Sequence, residues 1–403
     1  MKKVVYALGL LALTTVTSCT DNTYDLSKDN MDWSMQTSSD VLWLPEGSTA
    51  NAKLKDLFSI SEGQNLKFVK DPETGREGLY CMQGEGEQDA TVTMPVSTSD
   101  WSSTVTIDEV STTVDLGNVP EFLRREETVF DIVNPIILIK VEKSSGVDFR
   151  SRIAMTNVKD GAETQKARTK NLDDFEVVGD CTGEDAAIFY IAAEEVNDEY
   201  LPKEYRGAKW VALDETQSTL QDMLREIPDQ FKIEMEDYQG KGDGSVDLNV
   251  EYLFYAPMCP GAAFTLNDND AAGNFKSDLK DVLFDAMVVQ ADVVGDLPLA
   301  VRLVPVAVNE KGEVMNDVKL TVNDKAFVEV PGNKTTTILV KLTAPEGQKV
   351  SDFVNRDQNY FDGIRFDFTV KDPTNPGAKI FSDMKVRLEH MKMGIAGAGY
   401  NGN

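Results

Sequence analysis

Cys19 is the residue whose surroundings most directly specify a reaction. It follows Val16-Thr17-Ser18, which close an apolar run over residues 4–16 that is relieved only by Gly9, Thr14 and Thr15. Lys2 and Lys3 precede the run. A charged start, an apolar core and a small-residue cleavage site make a secretory leader. A cysteine directly behind such a site resembles the acylated cysteine of lipid-anchored exported proteins. Val16 stands at the branched aliphatic position of a lipobox and Ser18 at the small one, while Thr17 replaces the usual Ala or Ser. The expected chemistry is lipidation of the Cys19 thiol, and several acyl chains together anchor stably where one holds only marginally. The run is too short to span a bilayer, which takes about 20 residues. No later window is apolar for long enough.

Other residues could do chemistry, and each is weighed against a plainer role. Asp243-Gly244-Ser245-Val246-Asp247 and Asn267-Asp268-Asn269-Asp270 are oxygen-rich. Calcium takes about six to eight oxygens, so Asp243, Asp247, Asp268 and Asp270 are weak calcium candidates. Neither stretch has the EF-hand register: the sixth position counted from Asp243 is Leu248 rather than glycine, no Glu stands at the twelfth, and no metal is assigned. Trp33 and Trp101 lie in polar contexts and are weak candidates for stacking on a sugar ring. Trp43 and Trp210 sit in apolar strands and read as core. The acid pairs Glu126-Glu127, Asp173-Asp174 and Glu194-Glu195 are what solvated faces of so acidic a chain contain, and nothing marks one as a glycosidase pair. The single histidine, His390, reads as structural, which argues against Ser-His and Cys-His nucleophiles and most zinc sites. The remaining thiols, Cys81, Cys181 and Cys259, permit one disulfide and one free thiol, or three isolated buried thiols. No catalytic residue and no cofactor is assigned, so a non-enzyme is expected.

Lys and Arg number 40 against 68 Asp and Glu, a formal charge of −28. That surface repels nucleic acid and anionic headgroups. The membrane contact is therefore expected through the lipid, and any ligand is a protein or a glycan. At 41% hydrophobic residues the chain can build packed domains rather than remain disordered.

The elements that must position these residues follow from pattern. Residues 1–18 form the leader. Residues 19–39 form the lipid-bearing cysteine and a polar tether in which Asp21, Asp25, Asp29 and Asp32 recur. Two β-sandwich modules are expected at 40–209 and 210–403. A hairpin is predicted from strands at 66–69 and 78–82 around the turn residues Asp71-Pro72-Glu73-Thr74-Gly75. Asn134-Pro135 marks an edge or bulge, and Pro305 breaks a strand at 299–308. Residues 158–174, with Lys159, Lys166, Arg168 and Lys170, read as a solvated basic loop. The module boundary rests on a short repeat: Trp43 then Leu54-Lys55-Asp56-Leu57-Phe58, against Trp210 then Leu220-Gln221-Asp222-Met223-Leu224. Ser218 with Gln221 is the expected capping box of the second helix. The strongest strand signal is a closing hairpin of 364–370 and 379–388, turned at 372–377. Many short strands, Gly/Pro turns and few helices make the fold class all-β, with tandem immunoglobulin-like sandwiches.

The lipobox, Tyr24-Asp25-Leu26-Ser27, the Leu-x-Asp-apolar helices, Asn134-Pro135 and the 292–305 segment together resemble a family of Bacteroidota outer-membrane lipoproteins built from immunoglobulin-like β-sandwiches. The resemblance covers most of the chain beyond the leader. It implies an outer-membrane address and carries no established catalytic residues. The acidic stretch behind Cys19 is similar to surface-export signals, so the cell-surface face is expected, with the periplasmic face as the alternative. The expected function is non-catalytic surface adhesion or assembly. The alternative is a glycan-binding accessory lipoprotein of a polysaccharide-uptake system, and a two-carboxylate hydrolase ranks below both.

Overall fold

The computed structural model describes residues 41–43, 50–53, 60, 63–108, 111–124, 128–272, 282–373, 377–397 and 399–400. They are mostly strand, with two single-turn α-helices, α1 (Leu220–Leu224) and α2 (Val350–Val354). No helix among them is long and apolar enough to cross a membrane. The chain divides into a central unit, 60–264 with 376–382, and a terminal unit, 1–59 with 265–375 and 383–403.

In the central unit seven strands carry the argument: β1 (Leu66–Val69), β2 (Leu79–Ser102), β3 (Ile136–Lys143), β4 (Val147–Lys159), β5 (Ala187–Ala192), β6 (Lys209–Ala212) and β7 (Gln230–Pro257). The second half of β7 pairs antiparallel with β2, from Gly244↔Met94 to Pro257↔Cys81, and on its other side with β3. Its first half pairs with β4 and with Ser111–Asp115. β3 leads on to β5, and β5 to β6 in parallel. One ladder therefore folds back on itself to form both layers.

The corner is written in backbone chemistry. Register shifts fall at Glu236/Gln239, Gly240/Gly242 and Gly242/Gly244, and a shifted register bends a strand. Asp237 has φ 52° and Gly242 φ 124°. A Cβ on Gly242 would sit 2.2 Å from the Gly146 carbonyl oxygen, so only glycine fits there. The two arms then close over apolar side chains. Phe231 of the first arm lies 5.0 Å from Phe254 of the second, centroid to centroid. Phe175 bridges Phe149 of β4 and Phe189 of β5 at 6.3 and 4.5 Å.

The described residues of the terminal unit form two larger sheets that share one core, with a short two-stranded pair of Val282–Leu283 and Gly399–Tyr400. β8 (Ala286–Gly295), β10 (Thr335–Thr343) and β12 (Lys385–Ala396) belong to one sheet, with Val41–Trp43 and Ala50–Lys53 both paired to β12. β9 (Leu299–Asn309) and β11 (Phe361–Pro373) belong to the other, with Leu266–Ala272 on the far side of β11. Met287, Ala291 and Val293 of β8 and Ile338, Val340 and Leu342 of β10 share a core with Ala307 of β9 and Phe361 and Ile364 of β11. Val350, Phe353 and Val354 of α2 complete it.

The all-β class stands, and the first hairpin forms as expected, from Leu66↔Met82 to Val69↔Leu79. Other expectations are corrected. A boundary at 210 would cut the sheet that holds both β6 and β7. The closing hairpin does not form: β11 and β12 lie in different sheets, and 376–382 between them belongs to the central unit. Strand β9 runs through Pro305, because its second neighbour, Val328–Val330, pairs only with Val301–Leu303 and leaves that edge open at the proline. The basic stretch is a hairpin arm, β4 paired with Ala162–Arg168. Its cations are neutralised by Lys159–Glu226, Lys166–Glu236, Arg168–Asp214 and Lys170–Glu215 ion pairs. The cap of α1 is Thr219 with Asp222, one residue later than expected. The repeat finds no common setting, since Val41–Trp43 pairs antiparallel and β6 pairs parallel. The leader, Cys19, the tether, Trp33 and 54–58 lie outside the described residues.

Candidate functional site

The turn between β1 and β2 builds a polar cluster in the central unit around a buried carboxylate. Asp71 opens it, its N–H donating to the Arg76 carbonyl at 2.8 Å and its own carbonyl accepting from Gly75 N–H at 2.8 Å. Gly75 and Gly78 take φ 70° and 84°, which the turn requires and glycine supplies. The Asp71 carboxylate folds back into the turn, accepting from Thr74 Oγ1 at 2.5 Å and from Glu73 N–H at 3.3 Å. Asp71 is fully buried. A carboxylate out of water needs a charged or hydrogen-bonding partner.

Lys379 supplies it from far along the chain. Residues 377–382 run against the ends of β2 and β7. Ile380 N–H donates to the Met258 carbonyl at 3.0 Å, Tyr80 N–H to the Ile380 carbonyl at 3.1 Å, and Ser382 N–H to the Gly78 carbonyl at 2.8 Å. Gly377 N–H donates to the Pro260 carbonyl at 3.1 Å. This backbone clasp presents Lys379 Nζ to two carboxylates at once, Asp71 Oδ1 and Glu73 Oε2. The Lys379 side chain is 14% exposed and that of Glu73 36%. Arg76 lies over the Phe381 ring at 3.9 Å, and the Tyr200 ring lies 5.7 Å from Nζ.

Burial disfavours both charges, yet Asp71 stays below the usual carboxylate range because Lys379 and Thr74 hydrogen-bond it and the Lys379 charge attracts it. Lys379 stays above its usual value: burial opposes its charge, and hydrogen bonds to Asp71 and Glu73 outweigh that. The neighbourhood is apolar and nucleophile-rich. Cys81 is fully buried, and it packs with Ile136, Leu138, Tyr200 and Tyr255 in one cluster. Burial pushes the Cys81 thiol well up, the Cys259 thiol up to about 12, and the Tyr200 phenol well up. Tyr200 Oη donates to the Asn134 carbonyl at 2.9 Å, which gives the Asn134-Pro135 bend before β3 a packing role.

The residues singled out from sequence fall elsewhere. Asp243 and Asp247 lie within strand β7, both exposed, and Asp247 accepts from Thr91 Oγ1 at 2.9 Å. They are spread along an extended chain rather than wrapped in a loop. Asp268 and Asp270 lie on the strand Leu266–Ala272, paired to Phe368 and Phe366. No group of three or more metal-ligating side chains occurs among the described residues. Trp101 is half-buried, with Arg150 and Lys241 over its ring at 4.6 and 4.5 Å, so cations already occupy the aromatic surface. Trp210 packs against the Cys81 cluster and donates from Nε1 to the Ala192 carbonyl at 3.3 Å. Exposed His390 meets Asp292 at 2.9 Å in the terminal unit. Cys81, Cys181 and Cys259 are free thiols. In the sequence the Asp71–Glu73–Lys379 cluster shows only as turn chemistry at one end and the first residue of an expected strand at the other.

No protein-family model matches the chain, and no curated protein matches it by sequence. Among solved structures, it is similar to "a putative secreted protein from Parabacteroides distasonis", at 12% identity and a TM-score of 0.50, over 87% of this chain and all of that one. At that identity the likeness concerns the fold. The VP2 subviral particle of infectious bursal disease virus aligns at 9% identity over 85% of this chain and 84% of that one, with a TM-score of 0.13 that carries no argument.

Proposed function

We propose that this chain is exported, held in the outer membrane by lipid on Cys19 and turned toward the cell surface, where it serves non-catalytic adhesion or assembly. The observation that carries the reading is the leader that ends at Ser18, with Cys19 directly behind it and a polar, acidic stretch following. Lipid at one end and the polar residues 20–39 behind it would serve as an anchor and a spacer. The all-β sandwiches behind the spacer are rigid platforms of the kind that binding proteins use, and the fold shared with a protein described as secreted is in keeping with export. The charge of −28 directs the choice of partner toward a protein or a glycan and away from nucleic acid. Between those two the proposal favours a protein, because the stacking candidate in the central unit, Trp101, carries Arg150 and Lys241 over its ring.

The test compares cells carrying the wild type, Cys19→Ala and a deletion in protease shaving of intact cells and in adhesion to surfaces and to sister cells. The wild-type chain is expected to be cut by external protease, and adhesion is expected to fall in both mutants. Wild-type adhesion in the deletion, with loss of growth on one polysaccharide, would replace this reading with glycan uptake.

A further inference from the structure

The Lys379 cluster contains the parts of an amide-forming reaction. A primary amine touches a carboxylate, Asp71, that is fully buried. A second carboxylate, Glu73, touches the same nitrogen and reaches toward solvent. Two donors, Thr74 Oγ1 and Glu73 N–H, are aimed at the Asp71 carboxyl oxygens. The Tyr200 ring lies 5.7 Å from Nζ, and Tyr200 belongs to the apolar cluster that holds Cys81 and Tyr255. An ion pair in such a place is expensive to keep dry, and an amide made from the same atoms carries no charge. Holding both reactants in contact removes the entropic barrier to their joining.

We propose that Lys379 and Asp71 become covalently joined through an intramolecular isopeptide bond, with Glu73 as the proton-transferring residue. Glu73 takes a proton from the Lys379 ammonium, which leaves Nζ with a free electron pair. Nζ attacks Asp71 Cγ, and the charge that develops on the carboxyl oxygens is stabilised by Thr74 Oγ1 and Glu73 N–H. The C–N bond forms, one C–O bond breaks, and that oxygen leaves as water. Two of the three ammonium protons end on the water and one stays on the amide nitrogen. The charges of ammonium and carboxylate cancel, so the step consumes no further reagent. Glu73 is restored, and its partial exposure gives the released water a way out.

The bond would link residues 308 positions apart and fasten the clasp of 377–382 to the first turn of the central unit. A surface protein under pulling force or proteolysis gains from a cross-link that no reductant opens. The three cysteines of the central unit, all free, provide no such cross-link.

The test is mass spectrometry of the full chain. Purified wild-type protein is denatured and digested with trypsin. The expected product is a branched peptide joining the segment that holds residue 71 to the one that holds residue 379, lighter by one water than the two together. Lys379→Arg keeps a cation on Asp71 and Glu73 but should give only unlinked peptides. Glu73→Gln, checked as folded by circular dichroism, should form the branched peptide at least ~100-fold more slowly after synthesis, the usual worth of a positioned proton carrier. Wild-type protein that yields only the two unlinked peptides overturns the proposal. A Glu73→Gln chain that links as fast as wild type overturns the role given to Glu73.

Discussion

The corner of β7 offers the sharpest test of how the central unit is built. Gly242 has φ 124°, and a Cβ there would lie 2.2 Å from the Gly146 oxygen and 3.0 Å from Val147 Cα. Two residues on, Gly244 has φ 79° with nothing within 4 Å of its would-be Cβ. Gly244→Ala therefore meets backbone strain alone, about 1–2 kcal/mol. Gly242→Ala meets strain of about 1–3 kcal/mol in a region that only glycine occupies readily. It adds an overpacking cost of about 1–3 kcal/mol, because the opposing atoms are backbone and cannot swing away. The expected difference between the two variants is about 2 kcal/mol or more. Urea unfolding followed by tryptophan fluorescence reads it, since Trp101 and Trp210 both report on the central unit. Equal midpoints for the two variants would mean that the close approach of β7 to Gly146 does not hold the corner, and the single-ladder account of the sandwich would fail.

Other expectations follow from the same physical reasoning. Gln88 is buried with neither amide atom partnered, so Gln88→Met should raise the melting temperature, by the equivalent of about 1–2 kcal/mol. A drop would mean that the amide is satisfied in solution. Asp229 accepts from Asp160 N–H at 2.8 Å and from Arg124 at 3.0 Å. The Asp160 bond first, and Arg124 after it, hold its pKa below the ordinary carboxylate value against the effect of burial. Its stabilisation is therefore present above about pH 4 and lost as pH falls through the lowered folded value. Asp229→Asn should cost stability near neutrality and much less near pH ~2, read as urea midpoints at the two pH values. Buried Cys81 and Cys259, both with raised pKa, should resist iodoacetamide in the folded protein and react once urea unfolds it. Fast native labelling of either would contradict their placement.

Strand periodicity made the class of the fold legible, but not its long-range pairings. The β1–β2 hairpin could be read because Asp71-Pro72-Glu73-Thr74-Gly75 both turns the chain and separates two apolar runs. β2 and β7 could not be read at their full 24 and 28 residues. Gly84, Gly86, Gly240, Gly242 and Gly244 look like turn punctuation, whereas in the fold they admit close neighbours or bend a continuous strand. The expected closing hairpin fails for a related reason. Ile364 and its in-phase neighbours predict a strand but not its partner, and burial across the sandwich from β8 and β10 decided the pairing. Sequence distance hid the cluster of Asp71 and Lys379 altogether, because no local pattern ties a turn to a lysine 308 residues away. Charge pattern misled in the 158–174 stretch, where the basic residues are half of an ion-paired hairpin rather than a free loop.

The central claim, an anchored surface protein, rests on one atom, the Cys19 sulfur, and one measurement reaches it directly. Cells grown with radiolabelled palmitate should yield a labelled wild-type chain in the membrane fraction and an unlabelled Cys19→Ala chain. An unlabelled wild-type chain, or label that survives Cys19→Ala, would contradict the account.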